Sequence, residues 1–226
     1  MNWKIKAAIQ LCLSKYTFGE RLNYLLQRYV TRSLPGSDTC FLSQTSTARK
    51  HMEIANKYCS RPIKECVFYE FGAGWELIIP LAFYTFGVEN QILVDIRNLL
   101  RSNLINSTIE KFQRMGSNLG LDREPHHFLP SGCSLLLPLS KYYGIKYLAP
   151  YDARNTGIDA CSIDFITSTN TLEHIPPKDI QMILKECHRL LKDDGVMSFF
   201  IDYSDHYSHF DRTITVYNFL QYSEKQ

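Results

Sequence analysis

The sequence carries almost no excess of charge: 25 Lys and Arg stand against 23 Asp and Glu, a net of +2, and the pI is about 8.1. That near-balance lacks the basic footprint of a chain that binds nucleic acid or an anionic membrane, so a small or weakly charged partner is the default expectation. Seven cysteines, at 12, 40, 59, 66, 133, 161 and 187, include no pair with CxxC spacing, and the number is odd. A zinc site or disulfide framework is not expected; reduced thiols packed as small apolar groups are. Long apolar runs are missing as well. The longest, Leu77 to Val88, contains Pro80, Tyr84, Thr85 and Gly87 and is too short for a bilayer, which needs about 20 residues. Met1 to Leu13 lacks a long apolar core and a small-residue cleavage pattern, so no signal peptide is read there and a cytoplasmic protein is expected. No internal repeat or low-complexity segment is present.

What is there is an ordinary globular composition. The 226 residues, 45% apolar and 21% charged, fit one large domain or one domain with an appendage. Ile5, Ile9, Leu11 and Leu13, then Leu22, Leu25, Leu26 and Tyr29, give helical faces in the first thirty residues. Leu34 to Asp38 breaks the pattern, and Thr45 to Tyr58 is helical again, with Ser46 or Thr47 as its cap. Residues 1–60 are read as an N-terminal helical lid, and 61–226 as the main domain.

A strand-helix rhythm follows. Val67 to Glu70 is a strand, Glu76 to Tyr84 an apolar helix, and Gln91 to Ile96 a strand. Residues 99 to 120 are a helix with Leu100, Leu104, Ile109 and Phe112 inward. Residues 121 to 143, rich in Pro, His, Gly and Ser, are read as a loop or insertion. Strands follow at Lys146 to Ala149 and Ile163 to Thr167. A helix over Lys178 to Leu191 turns Ile180, Ile183, Leu184, Cys187 and Leu191 to one face. Asp193-Asp194-Gly195 is a turn before a fifth strand, Val196 to Asp202. Such alternation implies an α/β fold, a parallel sheet covered by helices on both faces. About 24 residues remain after that strand. Two further strands would usually complete such a sheet, so the sheet is expected to be shortened or the chain truncated.

Glu70-Phe71-Gly72-Ala73-Gly74-Trp75-Glu76 sits where a strand turns into a helix, a place where glycines let a ligand approach the backbone. The third Gly of a dinucleotide fingerprint is replaced by Glu76. Two carboxylates at this helix start would repel a pyrophosphate but tolerate the ammonium of S-adenosylmethionine (SAM). Asp95, 21 residues beyond Gly74, can accept hydrogen bonds from ribose hydroxyls. Asp152, read at the end of the third strand, can accept one from an adenine amino group.

The run Asp164-Phe165-Ile166, then Leu172-Glu173-His174-Ile175, a helix ending in Arg189-Leu190-Leu191-Lys192 and a Gly-led strand, resembles the class I SAM-dependent methyltransferases. More narrowly, it is similar to their type 11 small-molecule branch, over roughly residues 63 to 203. The resemblance implies a Rossmann-like fold and SAM as cofactor. It implies that Glu70, Gly72 and Gly74, with Phe71 and Ala73 between them, border the methionine end. It further implies ribose contact at Asp95 and its neighbour Ile96, adenine contact at Asp152 and Ala153, and a wall near the sulfonium from Ser168, Thr169 and Asn170. The Asn/Asp-Pro-Pro-Tyr/Phe tetrad of base N-methylating members is absent, which disfavours a nucleic-acid acceptor.

Asp202 to Asp211 holds two histidines and three aspartates in ten residues. His206 is the expected general base for a hydroxyl acceptor, with His209 or His174 next, because an imidazole titrates near neutrality. The alternative is a polar loop whose side chains cap backbone groups. Some O-methyltransferases carry Glu-x-x-Glu-His around a divalent cation at the place of Asn170 to His174. Asn170 removes one hard oxygen ligand there, leaving Glu173, His174 and His206 as a weak candidate set. A catalytically inactive SAM-binding module is the other alternative.

Overall fold

Val67–Phe71 (β1) is a run of aromatic and β-branched side chains, which fit a pleated surface buried on both faces. In the computed structural model, which describes residues 24–31, 33–209 and 211–222, it is the central strand of a five-stranded sheet. The other strands are Asn90–Val94 (β2), Ile145–Leu148 (β3), Ile163–Thr169 (β4) and Leu191–Phe200 (β5), in the order β3-β2-β1-β4-β5. All neighbouring pairs are parallel, and Glu70 stands level with Leu93 on one side and Thr167 on the other. The chain runs outward from β1 to β3 and then returns to the other side of β1. Ligands of open α/β sheets bind at such a reversal, outside the carboxyl ends of the strands.

Among the described residues, the helices that accompany the sheet are Asp38–Tyr58 (α1), Ile78–Thr85 (α2), Ser102–Met115 (α3), Leu136–Tyr143 (α4) and Pro177–Leu190 (α5). One face of the sheet packs Phe68, Leu93 and Phe165 against Phe41 and Met52 of α1, Leu81 of α2 and Phe112 of α3. The ring of Phe68 lies 5.3 Å from that of Phe83 and 4.9 Å from that of Phe165, within the range where aromatic pairs add to area burial. The other face packs Tyr69, Val94 and Ile166 against Ile183, Cys187 and Leu190 of α5. The expected α/β class with helices on both faces is therefore what the chain forms. Leu100, Leu104, Ile109 and Phe112 are buried as anticipated.

Several local expectations are corrected. The helix read from Thr45 begins seven residues earlier, because Ser37, not Ser46 or Thr47, accepts from the Cys40 amide at 3.2 Å and caps it. Residues 121 to 143 are not all loop: α4 occupies Leu136–Tyr143 and ends on Gly144 at φ +65°. A Cβ there would run into the carbonyl of Glu89, so a glycine is required where β3 starts against β2. The Asp193-Asp194-Gly195 turn lies inside β5, as a register shift: Ile163 pairs with Leu191 but Phe165 with Val196. β5 ends at Phe200 rather than Asp202, β2 at Val94 rather than Ile96, and β3 at Leu148 rather than Ala149. Leu184, assigned to the buried face of α5, is 38% exposed, since Ile183 and Cys187 already fill the contact with the sheet.

Backbone contacts divide the chain into two units, Pro35–Ile201 and Met1–Leu34 with Asp202–Gln226. Helix α1 thus belongs to the sheet unit, although the sequence reading drew the boundary at 60. In the other unit the described residues include a π-helical turn at Leu26–Val30 and 3-10 turns at His206–His209 and Asn218–Gln221. The expected helical faces before Tyr24 lie outside the described residues. Among the described residues no helix is long and apolar enough to cross a membrane.

The opposite end of the sheet is fastened by one carboxylate. Asp164, buried, accepts from the Val67 amide at 2.8 Å and from Lys192 Nζ at 2.8 Å to each oxygen. Asp164→Ala removes charge-assisted bonds worth about 1.5–3 kcal/mol and leaves a largely buried ammonium unpaired. Urea denaturation should register a loss of at least that size with an unchanged slope; a loss under about 0.5 kcal/mol would make this an ordinary surface pair.

Candidate active site

The carboxyl end of β1 opens into the glycine turn. Gly72 has φ +79° and Gly74 φ +74°, conformations that L side chains seldom adopt. The two glycines differ in surroundings. A Cβ on Gly72 would collide with the side chain of Thr171, whereas one on Gly74 would meet nothing within 4 Å. Gly72 is therefore fixed by contact with the segment after β4, and its amide donates to Val94 of β2 at 3.0 Å. The turn is held on both sides by the strands that flank β1.

Glu76, which replaces the third glycine, proves to be structural. Its carboxylate accepts from the Gly36 amide at 3.0 and 3.1 Å and lies 4.0 Å from Lys111 Nζ, and Lys111 also donates to the Gly36 carbonyl. Thr108 Oγ1 donates to the Glu76 carbonyl at 2.9 Å. This latch joins the segment before α1, the helix start after β1, and α3. Its signal in the sequence was only a Gly and a Lys far from Glu76.

Two carboxylates stand at adjacent strand ends with acceptor capacity unused. Glu70, 2% exposed, has no partner for Oε2, and Asp95, 6% exposed, none for Oδ2, among the described residues. Burial pushes Glu70 up to about 8, and the neighbouring charge of Asp95 adds to it. Burial likewise pushes Asp95 up to about 7, against the pull of the Tyr147 hydroxyl and the Ala73 backbone. Such perturbed groups at strand ends mark a candidate site with a stated cause. Glu173, which follows β4 in the 3-10 turn Leu172–His174, also has both carboxylate oxygens buried and unpartnered among the described residues. His174 is exposed.

Phe71 is buried, Ala73 is half-buried in the turn, and Ile96 is exposed just past β2. Ser168 donates to the Phe71 carbonyl at 3.0 Å, and Asn170, at φ +50°, donates its amide to Phe200 at 2.9 Å. Asp152, expected to be available at a strand end, lies in the loop after β3 and is taken up by Arg154. The guanidinium reaches it at 2.7 to 3.0 Å and also binds Asp179 at 2.7 Å. Arg154 holds the Asp152 carboxyl below its usual range. An adenine amino group there would share an acceptor already in use. Ala153 is half-buried beside it.

His206 and His209 occupy the 3-10 turn His206–His209 of the other unit, and their side chains lie outside the described residues. The neighbouring aspartates cap backbone groups. Asp202 accepts from Ser204 N at 2.8 Å, Asp205 from Tyr207 N at 2.9 Å, and Asp211 from Thr213 N at 3.0 Å. Among the described residues no group of three His, Cys, Asp or Glu could hold a metal ion.

His51 was not singled out from the sequence. It sits on α1 with one ring nitrogen 2.7 Å from Ser198 Oγ and the other 3.2 Å from Thr169 Oγ1. Its spacing with Ala48, Met52 and Ala55 on one buried helical face was the available signal.

Residues 140–199 match the model of the Methyltransferase domain family. No curated protein matches the chain. Solved structures similar to it include the Burkholderia thailandensis 1,6-didemethyltoxoflavin-N1-methyltransferase, 14% identical with a TM-score of 0.46, over 89% of this chain and 65% of that one. A SAM dependent methyltransferase from Archaeoglobus fulgidus is 15% identical with a TM-score of 0.44, over 86% and 66%. The Haemonchus contortus phosphoethanolamine N-methyltransferase 1 is 16% identical with a TM-score of 0.39, over 70% and 26%. The chain spans only 46%, 26% and 57% of the length of three of the solved chains it resembles. The matched segment runs from within α4 into β5, and the parallel sheet with its glycine turn after β1 is consistent with the fold of class I, type 11 methyltransferases.

Proposed function

We propose that the chain binds SAM at the carboxyl ends of β1, β2 and β4 and transfers its methyl group to a small-molecule acceptor, at a hydroxyl oxygen. The observation that carries the reading is the set of buried carboxylate oxygens without partners on Glu70, Asp95 and Glu173. A buried acceptor left unmade costs about 1–3 kcal/mol, and such groups are retained where a ligand completes them. SAM presents what they lack, an ammonium and two ribose hydroxyls, and has no phosphate to meet their charge. SAM supplies an activated methyl on a sulfonium, so the protein's share is alignment and exclusion of water.

In this reading Gly72 and Gly74 let the backbone approach the methionine end, with Phe71 and Ala73 shaping the turn. Asp95 accepts the ribose hydroxyls beside Ile96. Asp152 and Ala153 border adenine, and Ser168, Thr169 and Asn170 wall the sulfonium. His206 takes the proton of the acceptor, with His209 or His174 in reserve. The near-neutral charge supports a small molecule over a nucleic acid, and the six free thiols among the described residues support a cytoplasmic location. A metal-assisted variant draws its support from Glu173, whose two free oxygens suit a hard cation.

Isothermal titration with SAM and, separately, with NAD tests the reading directly. SAM should bind and NAD should not; heat from NAD with none from SAM would replace it with a dinucleotide enzyme.

A further inference from the structure

One face of the sheet carries a buried polar row just where the strands end. Glu70, Thr167 and Ser198 are register partners across β1, β4 and β5, and all three are buried. Thr169 lies two residues on from Thr167 along β4, so its side chain emerges on the same face. Helix α1 covers this row with an imidazole. His51 is 3% exposed, its ring bridges Ser198 Oγ at 2.7 Å and Thr169 Oγ1 at 3.2 Å, and the bonds join residues 147 and 118 positions apart in the chain. A His in that position is an expensive way to fill a buried helix face whose other members are Phe41, Thr45, Thr47, Ala48, Met52 and Ala55.

We propose that His51 is a positioning residue: it holds the Thr169 hydroxyl proton on the helix side, so that the oxygen's lone pairs are left facing the cationic sulfonium. The inference rests on the SAM reading, in which Thr169 belongs to the sulfonium wall. A neutral imidazole has one donor and one acceptor nitrogen. If the nitrogen facing Ser198 carries the hydrogen and donates to Ser198 Oγ, the nitrogen facing Thr169 must accept. The Thr169 hydroxyl then donates inward and offers only acceptor character outward. Burial keeps the ring neutral, because it drives the His51 pKa down to about 4, so that only one of its nitrogens carries a hydrogen at neutral pH. A charged ring would donate from both nitrogens and reverse the hydroxyl.

The distinguishing measurement is the ratio of affinities for SAM and S-adenosylhomocysteine, which differ in the charged methylsulfonium. A residue that only supports the fold would change both affinities together. His51→Phe should lower the preference for SAM over S-adenosylhomocysteine by roughly five- to tenfold, the range of one hydrogen-bond contribution. Thr169→Val should lower it as much, and the double variant should lower it no further, because both changes remove the same oriented oxygen. His51→Gln, which can still accept from Thr169, should recover part of the preference. An unchanged ratio in His51→Phe, or additive losses in the double variant, overturns the proposal. If His51→Phe does not fold, Thr169→Val decides: an unchanged ratio there removes the oxygen from the site and the proposal with it. Failure of the wild type to bind SAM at all is a separate result, and it removes the parent reading first.

Discussion

Asp95→Ala should weaken SAM binding by about 1.5–3 kcal/mol, the contribution of hydrogen bonds to a charged group. The structure supports a direct effect, since Asp95 is nearly buried and has an oxygen with no partner among the described residues. The same residue ties binding to pH. With Asp95 raised to about 7 and Glu70 to about 8, the free protein at neutral pH holds protons on this pair that an unfolded chain would have released. Ligand donors favour the ionised forms, so SAM should bind with net proton release at pH 7 and more tightly as pH rises toward 8. Titrations in buffers of different ionisation enthalpy report that release. For folding the sign is opposite. A carboxyl whose folded pKa is raised binds more protons folded than unfolded, so the pair's contribution to stability falls as pH climbs from about 4 to about 8. Melting of the free protein should weaken across that window, and Asp95→Asn should flatten part of the slope. Equal SAM affinity in wild type and Asp95→Ala would remove the ribose assignment.

The succession of strands and helices was legible because it depends on local pattern. The apolar run of β1 followed by Gly72 and Gly74, and the acidic residue after β2, are adjacent in sequence and carry their own physics. What was hidden depends on residues far apart. Whether Asp152 is free could not be read without knowing that Arg154 turns back onto it and is shared with Asp179 from the start of α5. Glu76 looked like a second carboxylate facing a ligand, yet Gly36 and Lys111 claim it. His51 was hidden because a histidine within a helix has no local signature of function; only the strand pairing that brings Thr169 and Ser198 together gives it partners. The turn at Asp193 to Gly195 was read from local chemistry alone. The extension of β5 through it was decided by pairing with β4, a tertiary effect that overrides turn propensity.

His206→Ala should leave SAM affinity intact and lower methyl transfer by about 10²–10⁴, the usual share of a general base. The reasoning is chemical and begins with the acceptor. A hydroxyl must lose its proton as the new bond to carbon forms, and the proposed site's carboxylates are engaged with SAM. An imidazole six residues past the end of β5, in a segment whose aspartates are occupied with capping turns, is the remaining neutral-pH base in that stretch together with His209. Formation of S-adenosylhomocysteine, followed across a panel of small hydroxyl compounds, supplies the assay. The wild-type rate should rise with pH through the ordinary range of a histidine, and His206→Ala should lose that limb. The metal-assisted variant gives another pattern: chelator abolishes turnover, and Glu173→Gln or His174→Ala costs as much as His206→Ala. A fully active His206→Ala enzyme that is also indifferent to chelator defeats both. Catalysis would then rest on alignment of the acceptor with the sulfonium, and the residues to pursue would be those proposed to wall the sulfonium, Ser168, Thr169 and Asn170.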